Sequence, residues 1–157
     1  MGKTKRAALY LRVSTDGQTA QNQRRVLETV AERRGWPIVA IYEDNGISGA
    51  KGRDSRPGFN AMLNDASRRR FDVLLFWSID RLGRSTAMVA TVLAELEAAG
   101  VAIYADKEAV DATTAHGRAM LQMAAVFAEL ERAMIRERVL AGLARAKGES
   151  PEQRRQR

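Results

Sequence analysis

Four short apolar runs, each separated from the next by an amphipathic stretch, constrain this chain more than any other feature. Residues 5–13 contain the nearly unbroken run Ala7-Ala8-Leu9-Tyr10-Leu11. Such runs mark strands covered on both faces, as in parallel sheets. Similar runs occupy residues 37–42, 72–79 and 101–105. Between the first two, residues 20–34 place Val26, Leu27, Val30 and Ala31 on one helical face, with Gly35 just past the end. Residues 58–70 do the same with Phe59, Met62, Leu63 and Ala66, and residues 86–99 form a third helix closed by Gly100. The order β-α-β-α-β-α-β predicts a doubly wound α/β domain with a mainly parallel sheet. Ligands of such sheets sit outside the carboxyl ends of the strands, which directs attention to the segments after Val13, Tyr42, Ile79 and Ala105.

Residues 106–117 are polar and read as a loop. A long helix follows over residues 118–147, reaching roughly 45 Å at ~1.5 Å per residue, more than a small domain needs. Met120, Met123, Phe127, Leu130 and Met134 alternate spacings of three and four, the pattern of a helix–helix seam. The stripe then moves to Ile135, Val139 and Leu143. A terminal helix folded back on its own sheet would also use such a stripe; the length and the seam favour an oligomer interface. The chain thus divides into an α/β domain at 1–117, a long helix suited to oligomerisation at 118–147, and a basic tail at 148–157.

The absence of cysteine excludes disulfides, thiolate metal sites and cysteine nucleophiles. His116 is the single histidine, so a histidine metal cluster is excluded, and it reads as a surface loop residue. No apolar stretch is long enough to span a membrane, and the N-terminus is a poor signal peptide, so a cytoplasmic location is expected. The formal net charge of +7 suggests a polyanionic partner, of which nucleic acid is the commonest. From Arg132 onward eight basic residues (Arg132, Arg136, Arg138, Arg145, Lys147, Arg154, Arg155, Arg157) face three acids. That concentration suits an arm tracking phosphates, although a solvated helix face would look similar.

Two motifs fall where the topology directs attention. Arg12-Val13-Ser14-Thr15 ends the first strand, with Gln18 and Gln23 following, and Asp80-Arg81-Leu82-Gly83-Arg84 ends the third. Arg12 and Ser14 share a side of the strand by alternation. A guanidinium in a buried strand needs a partner, for which Asp80 is one candidate. Arg81 and Arg84 share a face of a turn. The set joins a hydroxyl, a carboxylate and at least three guanidiniums, the side chains suited to bidentate phosphate binding. It is wrong for a metal site and lacks a Walker or Gly-x-Gly-x-x-Gly loop, so neither metal nor cofactor is expected. It suits a hydroxyl attacking a phosphodiester, with arginines stabilising the transition-state charge. Taken singly, Ser14-Thr15-Asp16 also suits a turn, and Asp80 with Arg81 or Arg84 a structural ion pair.

With Gly46-Ile47-Ser48-Gly49, Arg56-Pro57-Gly58-Phe59 and Glu131-Arg132 through Glu137-Arg138, these motifs recur in the order of the serine site-specific recombinases. The chain resembles the catalytic domain of the resolvase/invertase type from Arg6 to about Lys147. The resemblance implies a resolvase-like fold and attack by Ser14 on DNA to form a 5′-phosphoserine linkage. It implies phosphate contacts from Arg12, Arg56, Arg81 and Arg84, an active-site carboxylate at Asp80, and supporting roles for Gln18, Gln23, Ser48 and Arg132. Arg53 competes with Arg56, which the following Pro-Gly-Phe favours. DNA-arm contacts fall to Arg136, Arg138, Arg145 and Lys147. The partners implied are double-stranded DNA and further copies of the chain, a dimer that becomes a tetramer in the active complex. Recombinases of this type follow the long helix with a helix-turn-helix domain; here Ser150-Pro151-Glu152-Gln153 resembles a helix start, which reads either as the stub of such a domain or as a natural end. Two other readings stand beside this one: a non-catalytic DNA-associated regulatory module with the same fold, and a nucleotide-binding α/β protein, which the missing glycine-rich loop disfavours.

Overall fold

The computed structural model describes residues 2–13, 17–45, 56–83 and 85–148. Strand β1 (Ala7–Val13) leads into helix α1 (Gly17–Arg34), β2 (Ile38–Asn45), α2 (Pro57–Ser67), β3 (Val73–Phe76), a single 3-10 turn (Ile79–Arg81), α3 (Thr86–Ala98), β4 (Ala102–Ala105), β5 (Val110–Asp111) and α4 (Ala115–Gly148). The sheet order is β2-β1-β3-β4-β5. The first four strands are parallel and β5 runs antiparallel to β4. The doubly wound, mainly parallel sheet with a long final helix is therefore the observed fold.

Alternation along β1 divides the core. Ala8 and Tyr10 join Phe59, Met62, Phe71, Phe76, Leu82, Val92 and Leu96 beneath α2 and α3. Ala7, Leu9 and Leu11 join Leu27, Ala31 and Trp36 beneath α1. Both faces are covered, which is why β1 reads as continuous apolar sequence rather than as an alternating one. Of the apolar positions expected inward on α1, Leu27 and Ala31 are fully buried, Val30 is half-buried and Val26 is exposed.

Three differences from the sequence reading have physical causes. Strand β2 continues through Glu43, Asp44 and Asn45, which pair in register with Leu11, Arg12 and Val13; their polarity hid the extension. Strand β3 stops at Phe76, and Ile79 opens the 3-10 turn. The expected loop at 106–117 contains β5, only two residues long, and the first turn of α4. His116 is exposed, on that helical turn rather than in a loop.

Candidate active site

The strand order places β1 between β2 and β3, the switch point at which the chain winds to either side of the sheet. In sheets of this kind the ligand crevice lies outside the carboxyl ends at that point. Arg12 lies at that end of β1, half-buried and opposite Asp44 of β2 in the parallel register. Ser14, Ser48, Arg53 and Arg84 lie outside the described residues, as does the tail from residue 149. Gln18 sits in the first turn of α1, with its side chain outside the description, and Gln23 is buried one turn further on.

The most developed polar structure at this end centres on Asp44, which the sequence reading did not single out. Its carboxylate is 2% exposed. It accepts hydrogen bonds from the Tyr10 hydroxyl at 2.9 Å and from the backbone amides of Gly58 at 2.8 Å and Phe59 at 2.9 Å. Those amides belong to the first turn of α2, whose preceding residue, Arg56, supplies no side-chain cap. Asp44 therefore caps α2 from a neighbouring strand, an anion at a helix N-terminus. Burial, and then the Asp44 carboxylate, pushes the Tyr10 phenol well above its ordinary range. Gly58 is required by the close approach: a Cβ there would lie 2.5 Å from the Glu43 carbonyl. A helix that opens on Pro57 with no capping residue before it was the available signal for an acceptor from elsewhere in the chain.

Arg56 is 3% exposed. Its guanidinium lies 4.0 Å over the Phe59 ring and donates to the carbonyls of Arg81 at 3.0 Å and Leu82 at 3.5 Å. It thus ties the start of α2 to the turn carrying Asp80 and Arg81. That turn is braced twice more. The buried Ser78 hydroxyl donates to the Asp80 carboxylate, and the Ile79 amide donates to the Glu108 carboxylate at 3.2 Å. Helix α3 begins shortly after this turn, where the Ser85 side chain accepts from the Met88 amide at 3.1 Å as an N-cap.

Asp80 is exposed, with the Ser78 hydroxyl as its described hydrogen-bond partner, while Arg81 is half-buried. Arg81 Nε is buried and has no hydrogen-bond partner among the described residues. A buried guanidinium donor without an acceptor is costly. The structure thus brings Arg12, Arg56, Asp80 and Arg81 to the carboxyl ends of adjacent strands. Arg132 lines a separate groove between α3 and α4 with Thr91, Glu95 and Glu129. Arg136, Arg138, Arg145 and Lys147 are exposed along α4.

Residues 7–150 match the family described as "Resolvase, N terminal domain". The chain belongs to this resolvase family. Among its relatives, the DNA-invertase of Escherichia phage P1 is 36% identical over 140 residues, covering 89% of this chain and 69% of that protein. The Transposon Tn2501 resolvase of Escherichia coli is 35% identical over 145 residues, 90% of this chain and 71% of that one. In fold, this resolvase domain is similar to the N-terminal catalytic domain of TP901-1 integrase, with a TM-score of 0.74, 31% identity and coverage of 83% of this chain and 98% of that one. It is also similar to a resolvase family site-specific recombinase from Streptococcus pneumoniae, with a TM-score of 0.75, 27% identity and coverage of 93% and 100%. The resolvase domain is accordingly an enzyme, the catalytic domain of a site-specific serine recombinase. No helix among its described residues is long and apolar enough to cross a membrane.

Proposed function

We propose that the domain cleaves and rejoins duplex DNA through Ser14. The Ser14 hydroxyl oxygen forms a bond to the scissile phosphorus and the P–O3′ bond breaks, leaving the phosphate joined to Ser14 and to the 5′ end. The hydroxyl proton leaves Ser14, and the departing 3′ oxygen gains one. Reversal by a 3′-hydroxyl from another strand restores the phosphodiester and the free serine. Bond number is conserved, so no external energy source enters. Arg12, Arg81 and Arg84 neutralise the phosphate, supplying the charge stabilisation that other phosphoryl-transfer sites draw from metal ions, and no cofactor takes part. Arg56 holds the Arg81 turn in place and offers any remaining donor to the phosphate. Asp80 manages the leaving-group proton. Gln18, Gln23, Ser48 and Arg132 support this arrangement, while Arg136, Arg138, Arg145 and Lys147 track the DNA backbone along α4. The chain acts in the cytoplasm, as a dimer that becomes a tetramer when strands are exchanged, using the exposed stripe of α4.

The observation that carries this reading is the gathering of Arg12, Arg56, Asp80 and Arg81 at the carboxyl ends of adjacent strands, with Arg81 Nε buried and without a hydrogen-bond partner among the described residues. The test is covalent trapping. The protein is incubated with supercoiled DNA bearing a candidate recombination site, in chelator, and quenched with denaturant. Protein linked to DNA 5′ ends is expected, and Ser14→Ala should abolish it. A blank both with this chain and with its fusion to a DNA-binding domain would move the assignment to a non-catalytic module.

A further inference from the structure

Helices α1, α2 and α3 return to the sheet through the same backbone motif. In each, the residue after the cap is left-handed, and the next amide reaches back five residues: Trp36 to Ala31, Arg70 to Asp65, Val101 to Leu96. Two returns use the residues this motif favours. Gly35 and Gly100 have φ of 67° and 76°, and the residues after them, Trp36 and Val101, are buried. The α2 return uses Arg69 at φ 54° and an exposed Arg70. A side chain is disfavoured in this conformation, and an exposed charge forgoes the apolar contact that completes the motif. The chain keeps three consecutive arginines, Arg68, Arg69 and Arg70, at the one return where glycine and an apolar residue would fit better.

These arginines stand in a group. They precede β3, while Lys3, Lys5 and Arg6 precede β1, its neighbour in the sheet. Arg6 donates to the Arg69 carbonyl at 2.6 Å, and the Arg69 guanidinium passes over Gly100, where a Cβ would lie 3.0 Å away. Arg6 takes Asp72 and Arg70 lies 3.6 Å from Asp65. Lys3, Lys5, Arg68 and Arg69 have no ion pair among the described residues and are all exposed. The exposed large apolar side chains lie on α1, β2 and α4, none of them in this group. A protein-binding patch normally has an apolar centre; here the apolar groove lined by Leu93, Val101 and Ile103 lies to the Lys5 side, and Arg68, Arg69 and Arg70 are not among its lining residues. Six basic side chains here stand against the two part-buried carboxylates of Asp65 and Asp72, so the group keeps an excess of cations, at the amino ends of strands whose carboxyl ends carry Arg12 and the Asp80–Arg81 turn, about 20 Å away along the seven residues of β1.

We propose that this amino-end face is a second duplex-DNA contact surface, holding the phosphate backbone of a segment other than the one in the crevice. It goes beyond the Ser14 chemistry and needs only that the domain works on DNA. With the crevice occupied, the domain then bridges two duplexes.

The test uses the whole chain carrying Ser14→Ala, so that no covalent product forms and the outcome is independent of the cleavage reading. Duplex affinity is measured against salt, and bridging is measured as retention of a labelled duplex on beads carrying a second one. The combined change Arg68→Gln, Arg69→Gly and Arg70→Gln should abolish bridging and lower the salt slope by about 2 to 3, at ~0.9 per phosphate contact. Arg69→Gly alone should raise Tm, because glycine suits the left-handed backbone, while lowering the slope by about 1. Unchanged slope and bridging in the triple variant would overturn the proposal. So would arginine-dependent binding of polyglutamate with duplex binding unaffected, since that assigns the face to an acidic protein. A fall in Tm for Arg69→Gly with no change in slope would assign the arginines to folding alone, and also overturns it.

Discussion

Within the α/β core the large apolar side chains are enclosed, from Tyr10 and Phe59 to Leu96, and the buried Asp44 has three donors of its own chain. Along α4, ten large apolar side chains from Met120 to Leu143 stand exposed, Phe127 at 64% and Met123 at 59%. The same helix touches the core through Leu121, Ala124, Ala125 and Ala128, small or single contacts against α3. The difference separates two kinds of information in one sequence. The core residues specify a structure the chain completes by itself. The outer residues of α4 specify contacts that this chain alone does not make, since an exposed apolar stripe of this length is a surface to be covered. The seam expected from the spacing of Met120, Met123, Phe127, Leu130 and Met134 is exposed rather than folded back on the sheet.

Changes on the two sides should therefore separate stability from association. Asp44→Ala strikes the enclosed side hardest. It strands the Tyr10 hydroxyl and two amides of α2, and should cost about 3 kcal/mol or more in denaturant unfolding. A loss below ~1 kcal/mol would mean that water replaces the carboxylate and the network is not closed. Gly117→Ala strikes the joint between the regions. Its Cβ would lie 1.8 Å from the Asp111 carbonyl, so the foot of α4 must move, at about 1–3 kcal/mol. Phe127→Asp strikes the open side. Unfolding of the core should change by less than about 1 kcal/mol, while sedimentation should shift toward monomer. An unchanged distribution of sizes would show that Phe127 is not part of the seam.

The smallest effect is expected from acid. Burial works against the charge of Asp111, but the hydroxyl and amide of Thr113, together with Arg34, outweigh it and hold its carboxyl below the ordinary range. The unfolded chain then binds the proton first. The stabilisation is complete above about pH 4 and fades as pH falls through the folded value. Thermal unfolding between neutral and acidic pH should show a shallower acid slope for Asp111→Asn. An identical slope would locate the acid sensitivity elsewhere, with Asp72, which Arg6 holds low in the same way, as the next carboxylate to replace.

The four parallel strands and helices α1, α2 and α3 were legible because apolar periodicity there records burial, and α4 because its periodic stripe, left exposed by this chain, shows the same helical spacing. The placement of Arg12, Asp80 and Arg81 at strand ends was legible because charged residues at the ends of apolar strands stand out against their neighbours. Asp44 was not, because Glu43-Asp44-Asn45 followed by a Gly-Ser loop has the composition of a turn. Its role depends on amides fourteen and fifteen residues later in the chain. Glu108 was hidden for the same reason: it reaches Ile79 across 29 residues from a turn beside a two-residue strand, too short to show a period. Local pattern reports which face is covered, and long-range hydrogen bonds leave no such trace.

Gly117 leaves no slack between the first turn of α4 and the end of β5. From that foot the helix runs unbroken to Gly148. Contacts with α3 hold it as far as Ala128; beyond them, at ~1.5 Å per residue, the free arm is about 30 Å, so a tilt of only ~5° moves the far end by about 3 Å. Aim, rather than grip, is what the missing methyl group secures. The basic residues near the tip, Arg145 and Lys147, inherit their position from the Gly117 contact together with the packing on α3, and a slightly looser joint would leave them sweeping a cone instead of holding a line.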